Sequence, residues 1–445
     1  MGIFYFCGEE PYSWSWRWWW KRLTDICQRW RHIIFASPRF LDLHILCTDK
    51  TPTRTSLDIW PQFPIIIDSL GTELDDEGQD NIIAALEQHD RVIQIHLGCL
   101  PETFSAVIQK PFPVLNYLNL LLVDEVAPIL HEEFLGGSAP HLRSFDLYHI
   151  AFLEFPKLAL SCSHLFRLDL LNIPIAGYIS PEAMATCLAT LPSLKSLDIR
   201  FQSPRSRPNR RGRPPPTRVI LPTLESFGFK GVSEYLEDLV ARIDTPKLDR
   251  LRIRLFMDLM FNVPQLHKLI VRTERIRSLD SAEILFHPWA SVIRSRPAIE
   301  LEIICREPDW QASSMAQVCS QLSPHLSHVE QLAIREDTPG QARQGNGIDP
   351  MLLLELFDPF PALQHLHIYG ELRSLVTRAL QEHTGESATE VLPSLRRLVF
   401  EGPPPSGSIQ KDIQGFITAR QNSNHPVDIE WRESNDSRPS SPLSS

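Results

Sequence analysis

His131-Glu-Glu-Phe-Leu135 begins as a zinc-protease helix begins, with a histidine beside a glutamate that would activate a metal-bound water. The second histidine is missing, because position 135 is Leu. Gly136-Gly-Ser-Ala-Pro140 sets a serine among glycines, but no glycine stands two residues after it, so a turn is expected there rather than a nucleophile elbow. Cys162-Ser-His164 offers two metal ligands where a closed zinc site needs four, and packing is the expected role. His365 and His367 would share one face of a strand and could chelate, although ordinary sheet polarity accounts for them more simply. No GxxxxGK[ST] or GxGxxG run occurs to cradle phosphate. The expectation is a chain with no enzymatic activity, no metal and no cofactor.

The elements carrying these residues follow one repeated pattern. An apolar residue, two others, an apolar residue, one other and an apolar residue recur, usually with Pro two residues ahead. The series starts at Leu115, Leu142, Leu194, Leu224, Leu248, Leu266, Leu363 and Leu395, with variants at Val92, Leu165, Val329 and Ile299. The mean step is about 28 residues, within the range of leucine-rich repeats. The last two apolar positions alternate and so face one side of a strand. Between strands lie helical patterns with start signals: Ser180-Pro181, Asp349-Pro350, Ser233 before Glu234, and Asp80 before Asn81. Strand and helix alternating at this period predict an α/β fold. It is an irregular leucine-rich-repeat solenoid of parallel strands, preceded by a short helical segment.

In such a repeat, the positions between the apolar ones line the open sheet surface. Those singled out for binding a protein target are Tyr117, Asp146, Arg167, Asp169, Asp198, Arg250, Arg252, Lys268, His365, His367 and Arg397. The early rows are acidic and the later ones basic, a division suited to a complementary partner.

Near the N-terminus, Leu23, Ile26, Cys27, Trp30, Ile33 and Ile34 follow helical spacing up to Ser37-Pro38. Cys27-Gln-Arg-Trp-Arg31, Ser37-Pro38-Arg39 and Leu43-His-Ile45 together resemble the second half of an F-box. The closest likeness is to fungal F-box proteins of the mushroom-forming lineage. It extends through Leu57-Asp-Ile-Trp-Pro61, Asp80-Asn-Ile-Ile-Ala-Ala-Leu86, Phe134-Leu-Gly-Gly-Ser-Ala-Pro140, Gly177-Tyr-Ile-Ser-Pro-Glu-Ala-Met184, Ile243-Asp-Thr-Pro246 and Cys305-Arg-Glu-Pro-Asp-Trp310. The resemblance implies a substrate receptor of a cullin-based ubiquitin ligase. The six N-terminal residues would bind a Skp-type adaptor that joins the cullin, and the repeats would hold an unknown protein target. The Leu-Pro-x-Glu start of the first F-box helix is absent. In its place five of the ten tryptophans fall between Trp14 and Trp20.

These readings divide the chain into a Trp-rich start (1–20), a partial F-box-like segment (21–46), a repeat array (47–432) and a disordered tail (433–445). Within the array, six arginines alternate with five prolines over 203–218 as an inserted basic loop, and Glu73 to Asp80 is expected to be an acidic loop. The formal net charge of −10 argues against nucleic acid as the main partner. No apolar run approaches the ~20 residues that span a bilayer. Eight scattered cysteines without close pairs suit free thiols in the cytoplasm or nucleus.

Overall fold

The computed structural model describes residues 23–37, 43–70, 75–98, 108–122, 127–205, 217–258, 261–277, 279–295, 298–336, 348–370, 372–382, 391–402 and 407–432. The Trp-rich start, most of the Arg/Pro loop and the tail from 433 lie outside these residues. The chain forms two units, one up to Ser203 and one from Pro204.

The first unit contains α1 (Gln28–Phe35), β1 (Ile45–Cys47), α2 (Thr53–Ile59), β2 (Ile65–Ser69), α3 (Asp76–Leu86) and β3 (Val92–Leu97). Then follow β4 (Tyr117–Leu121), β5 (Ser144–Tyr148), α4 (Phe155–Ala159), β6 (Arg167–Ile173), α5 (Pro181–Leu188) and β7 (Ser196–Phe201). Its seven strands are parallel and lie side by side in chain order. The apolar pattern sets the register: Leu118, Phe145, Leu168 and Leu197 pair across neighbouring strands, as do Leu120, Leu147, Leu170 and Ile199. All eight are buried. Burying one such side chain contributes roughly 1.5–3 kcal/mol, so a one-residue slip would be costly along the whole ladder.

The proline has a specific use. In Phe112-Pro-Val-Leu115, Ala139-Pro-His-Leu142 and Leu191-Pro-Ser-Leu194, the N–H of the last residue donates to the carbonyl of the first, at 3.2, 3.1 and 3.2 Å. Pro stands second in this tight turn, where its fixed φ is already correct. The turn drives the leucine into the core before the strand begins. Between β4 and β5, where the described residues form only a short tight helix, phenylalanines fill the layer. Phe145 stacks on Phe155 at 5.4 Å, with Phe134 and Phe152 against them.

The second unit contains β8 (Val219–Ile220), β9 (Ser226–Gly231), α6 (Ser233–Arg242), β10 (Ile243–Asp244), β11 (Arg250–Phe256), α7 (Pro264–Arg272) and α8 (Glu274–Arg277). Then come β12 (Ser281–His287), β13 (Ala290–Ser295), β14 (Ile299–Ile304), α9 (Pro308–Gln321), α10 (Ser323–Leu326) and β15 (Gln331–Glu336). It closes with α11 (Pro350–Glu355), β16 (His365–Tyr369), α12 (Leu372–Glu382), β17 (Arg397–Glu401), α13 (Gly407–Asn422) and β18 (Asp428–Arg432). The sheet order is β9-β11-β14-β13-β12-β15-β16-β17-β18, and β8 pairs with β10 separately. All neighbours are parallel except β13, which runs antiparallel to both β12 and β14. The chain is therefore a mixed α/β structure with mostly parallel sheets.

Several expectations are corrected. Val263-Pro-Gln-Leu266 matches the turn sequence, yet Pro264 opens helix α7 instead of a strand. Leu266, Leu269 and Ile270 satisfy helical spacing as well as the strand pattern. The Glu237 carboxylate, on α6, decides between them by accepting from the N–H groups of Gln265 (2.7 Å) and Leu266 (2.9 Å). These are donors that a helix start leaves unpaired. The sheet position beside β11 goes to β14 instead, delivered by a meander that runs back against chain order. At the N-terminus one continuous helix was expected, but Cys27 is extended (φ −166°, ψ 167°) and serves as N-cap of the eight-residue α1. Leu23, Ile26 and Cys27 thus lie outside that helix. Helix α3 starts at Asp76, not after Asp80, and the Asp75 carboxylate caps it through the Gly78 N–H at 2.8 Å. Asp76 and Glu77 of the acidic run therefore lie in a first helical turn, where their charge suits the dipole, and Glu73 lies outside the described residues. Ser233 is the first residue of α6 rather than its cap. Ser180 and Asp349 cap as expected, through Ala183 N–H (3.2 Å) and Met351 N–H (3.0 Å).

Candidate functional site

The strand register stacks the polar positions as strictly as the apolar ones. In the first unit Tyr117, Ser144, Arg167 and Ser196 form one row, and Asn119, Asp146, Asp169 and Asp198 form the next. Neighbouring strands are about 4.8 Å apart, so three aspartates stand in mutual repulsion unless compensated. Two arginines compensate them. Arg167 donates Nε (3.0 Å) and Nη2 (2.6 Å) to Asp169 Oδ2, and its Nε lies 3.5 Å from Asp146 Oδ1. Arg200 grips Asp198 as a fork, Nε to Oδ1 at 2.9 Å and Nη2 to Oδ2 at 2.6 Å. Ser144 Oγ donates to Asp146 Oδ2 at 3.3 Å, and the Tyr117 hydroxyl hydrogen-bonds the same carboxylate. The Tyr117 ring stacks on His96 with centroids 4.6 Å apart.

Burial dominates the electrostatics here. It pushes the Asp146 carboxyl up to about 6, with repulsion from Asp169 adding to the rise and Arg167 opposing it. Burial also raises Asp169, against the pull of Arg167. The Tyr117 phenol is pushed up to about 12 by burial and by Asp146. Of the five first-unit residues expected to bind a partner, Tyr117, Asp146, Arg167 and Asp169 form one interlocked cluster, and Asp198, next along the row, is held by Arg200.

The second unit carries the remaining candidates in three places. Arg250 and Arg252 are exposed on β11. His365 and His367 share one face of β16, with Arg397 alongside His365 on β17. Burial lowers the His367 pKa, opposed by Glu401 and aided by Arg432, His365 and Arg397, which favours a neutral ring. Arg397 is paired with Glu430. Lys268 is exposed on helix α7 and belongs to no strand ladder, a consequence of the helix replacing the expected strand.

Sequence reasoning missed part of the network. Arg200, Arg335 and Tyr369 occupy the next alternate position along their strands, two residues beyond the last one read. Arg335 lies over the Tyr369 ring at 3.9 Å and pairs with Glu283 at 2.8 Å. Glu283 also takes Arg294 at 2.8 Å. Carrying the alternation one step further would have found Arg200, Arg335 and Tyr369. Glu283 and Arg294 belong to the hairpin, which has no repeat signature.

In the N-terminal segment, Ile34 is fully buried, whereas Ile26 and Ile33 are 59% and 44% exposed. Leu23 and Trp30 are half-buried and Cys27 is exposed. Phe35 anchors α1 edge-on against Trp60 (5.8 Å) and Phe63 (5.6 Å). His131 to Leu135 is turn and tight helix rather than an α-helix. The Cys162 thiol is buried, donates to the Leu158 carbonyl at 3.3 Å and is pushed up to about 11, so it is held as a thiol. Among the described residues no cluster of His, Cys, Asp or Glu is arranged to hold a metal ion, and no helix is long and apolar enough to cross a membrane. Comparison with known proteins finds no matching family model and no matching curated protein.

Proposed function

We propose that the chain is a leucine-rich-repeat-like solenoid that recognises a protein target through the polar face of its sheet. In this reading it acts as the substrate-recognition subunit of a cullin-based ubiquitin ligase. The single observation that carries target recognition is the in-register polar ladder. Alternate strand positions are locked into the core, which leaves the intervening ones, Tyr117 and Arg167 in the first unit and Arg250 and Arg397 in the second, reached by solvent. A preorganised face of paired charges selects partners by complementarity at small cost in ordering entropy. The adaptor half rests on the F-box-like residues, and the exposed Ile26 and Ile33 supply the apolar contact a Skp-type adaptor would cover. Such an assembly would work in the cytoplasm or nucleus, with all ligation chemistry in other subunits.

A second reading is favoured by the extended backbone at Cys27, which leaves α1 only eight residues. In it the chain is an interaction scaffold that recruits no ligase. Affinity purification of the full chain from cells separates the two. Co-enrichment of adaptor and cullin, lost on Ile26→Asp with Ile33→Asp, supports the receptor. A captured target without either subunit supports the scaffold. Cross-links from that target to the helices alone, and none to the sheet face, would refute both.

A further inference from the structure

On the outward face of the second unit's sheet, most of the described arginines are ion-paired. Arg254 holds Glu302 at 2.6 Å, Arg294 and Arg335 share Glu283 at 2.8 Å each, and Arg397 and Arg432 share Glu430. Lys230 lies over the Phe256 ring at 5.5 Å. Arg250 and Arg252 differ. Both are exposed, and among the described residues their side chains make no ion pair or hydrogen bond.

We infer that Arg250 and Arg252 grip an extended, acidic segment of a partner protein laid along β9 and β11. This deepens, and rests on, the reading of the sheet face as the binding face. The two arginines stand two residues apart on one strand, so they leave the same face about 7 Å from each other. An extended peptide presents alternate side chains at the same interval, so Asp or Glu at every second residue meets both guanidiniums. Each guanidinium is a planar fork of donors that matches a carboxylate in two parallel hydrogen bonds.

Room for the peptide lies on the β9 side. The register neighbours of Arg250 and Arg252 there are Ser226 and Gly228, a hydroxymethyl group and a hydrogen atom, too short to fill the space beside a guanidinium. On the other side Arg252 has Glu300 of β14 as its register neighbour and makes no ion pair with it, so its donors are not taken up there. A nucleic acid fits less well. Its continuous run of phosphates needs a broad cationic field, whereas this site offers two arginines on one strand, enough for two discrete carboxylates, on a chain of net charge −10.

The test is a direct titration of the full chain against a fluorescein-labelled peptide of alternating glutamate and serine, read by fluorescence anisotropy. The glutamine version of the peptide and a short DNA duplex are the comparisons. The glutamate peptide should bind, the glutamine peptide should not, and affinity should fall as salt rises. In R250Q/R252Q the affinity should drop about tenfold or more. The melting temperature should stay unchanged, because neither side chain has a partner to lose. Equal binding to wild type and R250Q/R252Q would overturn the proposal, and so would preference for the DNA duplex through the same arginines. If the peptide fails while a captured target still cross-links to the sheet face, the acidic chemistry is wrong and the binding face stands. If the peptide binds through Arg250 and Arg252 but captured targets cross-link only to the helices, the arginine pair is upheld and the broader reading falls.

Discussion

Asp146→Asn should make the protein more stable near neutral pH and leave it unchanged in acid. Asp146 is held at about 6 against an ordinary 3.8, because burial disfavours its charge and Asp169, next along the ladder, repels it. The attraction of Arg167 and the hydrogen bonds from Tyr117 and Ser144 work against this and are already contained in that value. The folded chain therefore binds this proton more tightly than the unfolded chain. Below the unfolded value both states are protonated and nothing is lost. As pH rises from about 4 to about 6 the unfolded chain ionises first, so stability falls; above that the loss levels off at about 3 kcal/mol. Asparagine keeps the shape but has no proton to release, so it escapes the loss. The measurement is urea unfolding of both proteins at several pH values between about 4 and 7.5, taking the difference at each pH so that all other titrating groups cancel. The difference should be near zero at the acid end and grow toward a few kcal/mol in favour of the variant. A difference that does not change with pH would show that Arg167 and the hydrogen bonds cancel burial at this site, and a variant weaker at neutral pH would show that they outweigh it.

Three further substitutions probe the fold. Arg420 is fully buried and donates to the carbonyls of Leu392 (3.2 Å), Leu395 (3.0 Å) and His425 (3.2 Å), tying α13 to the turn before β17. Arg420→Met should cost about 3–5 kcal/mol in denaturant unfolding by orphaning those carbonyls, and a loss below 1 kcal/mol would refute this role. Gly136 has φ +66°, and a Cβ there would lie 2.8 Å from the Pro111 backbone nitrogen. Gly136→Ala should therefore destabilise by about 2 kcal/mol or more, and an unchanged melting temperature would contradict the geometry. Glu237→Ala removes the acceptor of two N–H groups at the start of α7 and should cost about 1–2 kcal/mol. Hydrogen exchange at Gln265 and Leu266 should rise, and if their protection is unaltered the cap is not what holds that helix.

Much of the ladder was legible because its signal is local. In Leu118 and Leu120, or Leu366 and Ile368, strand alternation alone assigns the core side, and the Pro-x-Leu turn marks where each strand begins. Tyr117, Asp146, Arg167, Asp169 and Asp198 follow as the outward positions of the same strands. The failures share one cause, a local pattern that fits two structures. Leu266, Leu269 and Ile270 suit a strand entry or a helix face, and the choice comes from Glu237, 29 residues before Leu266. Cys27 sits within helical spacing, yet its backbone is extended and of the six expected helix positions only Ile34 is buried.

By itself the sequence determined the repeating alternation of core and surface, since a strand turns each second side chain the same way and burial of apolar groups selects which way that is. The tertiary structure alone decided that β14 lies beside β11 and that β13 runs against its neighbours. It also decided that Arg167 and Arg200 neutralise the aspartates while Arg250 and Arg252 make no ion pair among the described residues. Ion pairs and strand neighbours join residues far apart in the chain, and their energies depend on distance and burial, which only the folded chain defines.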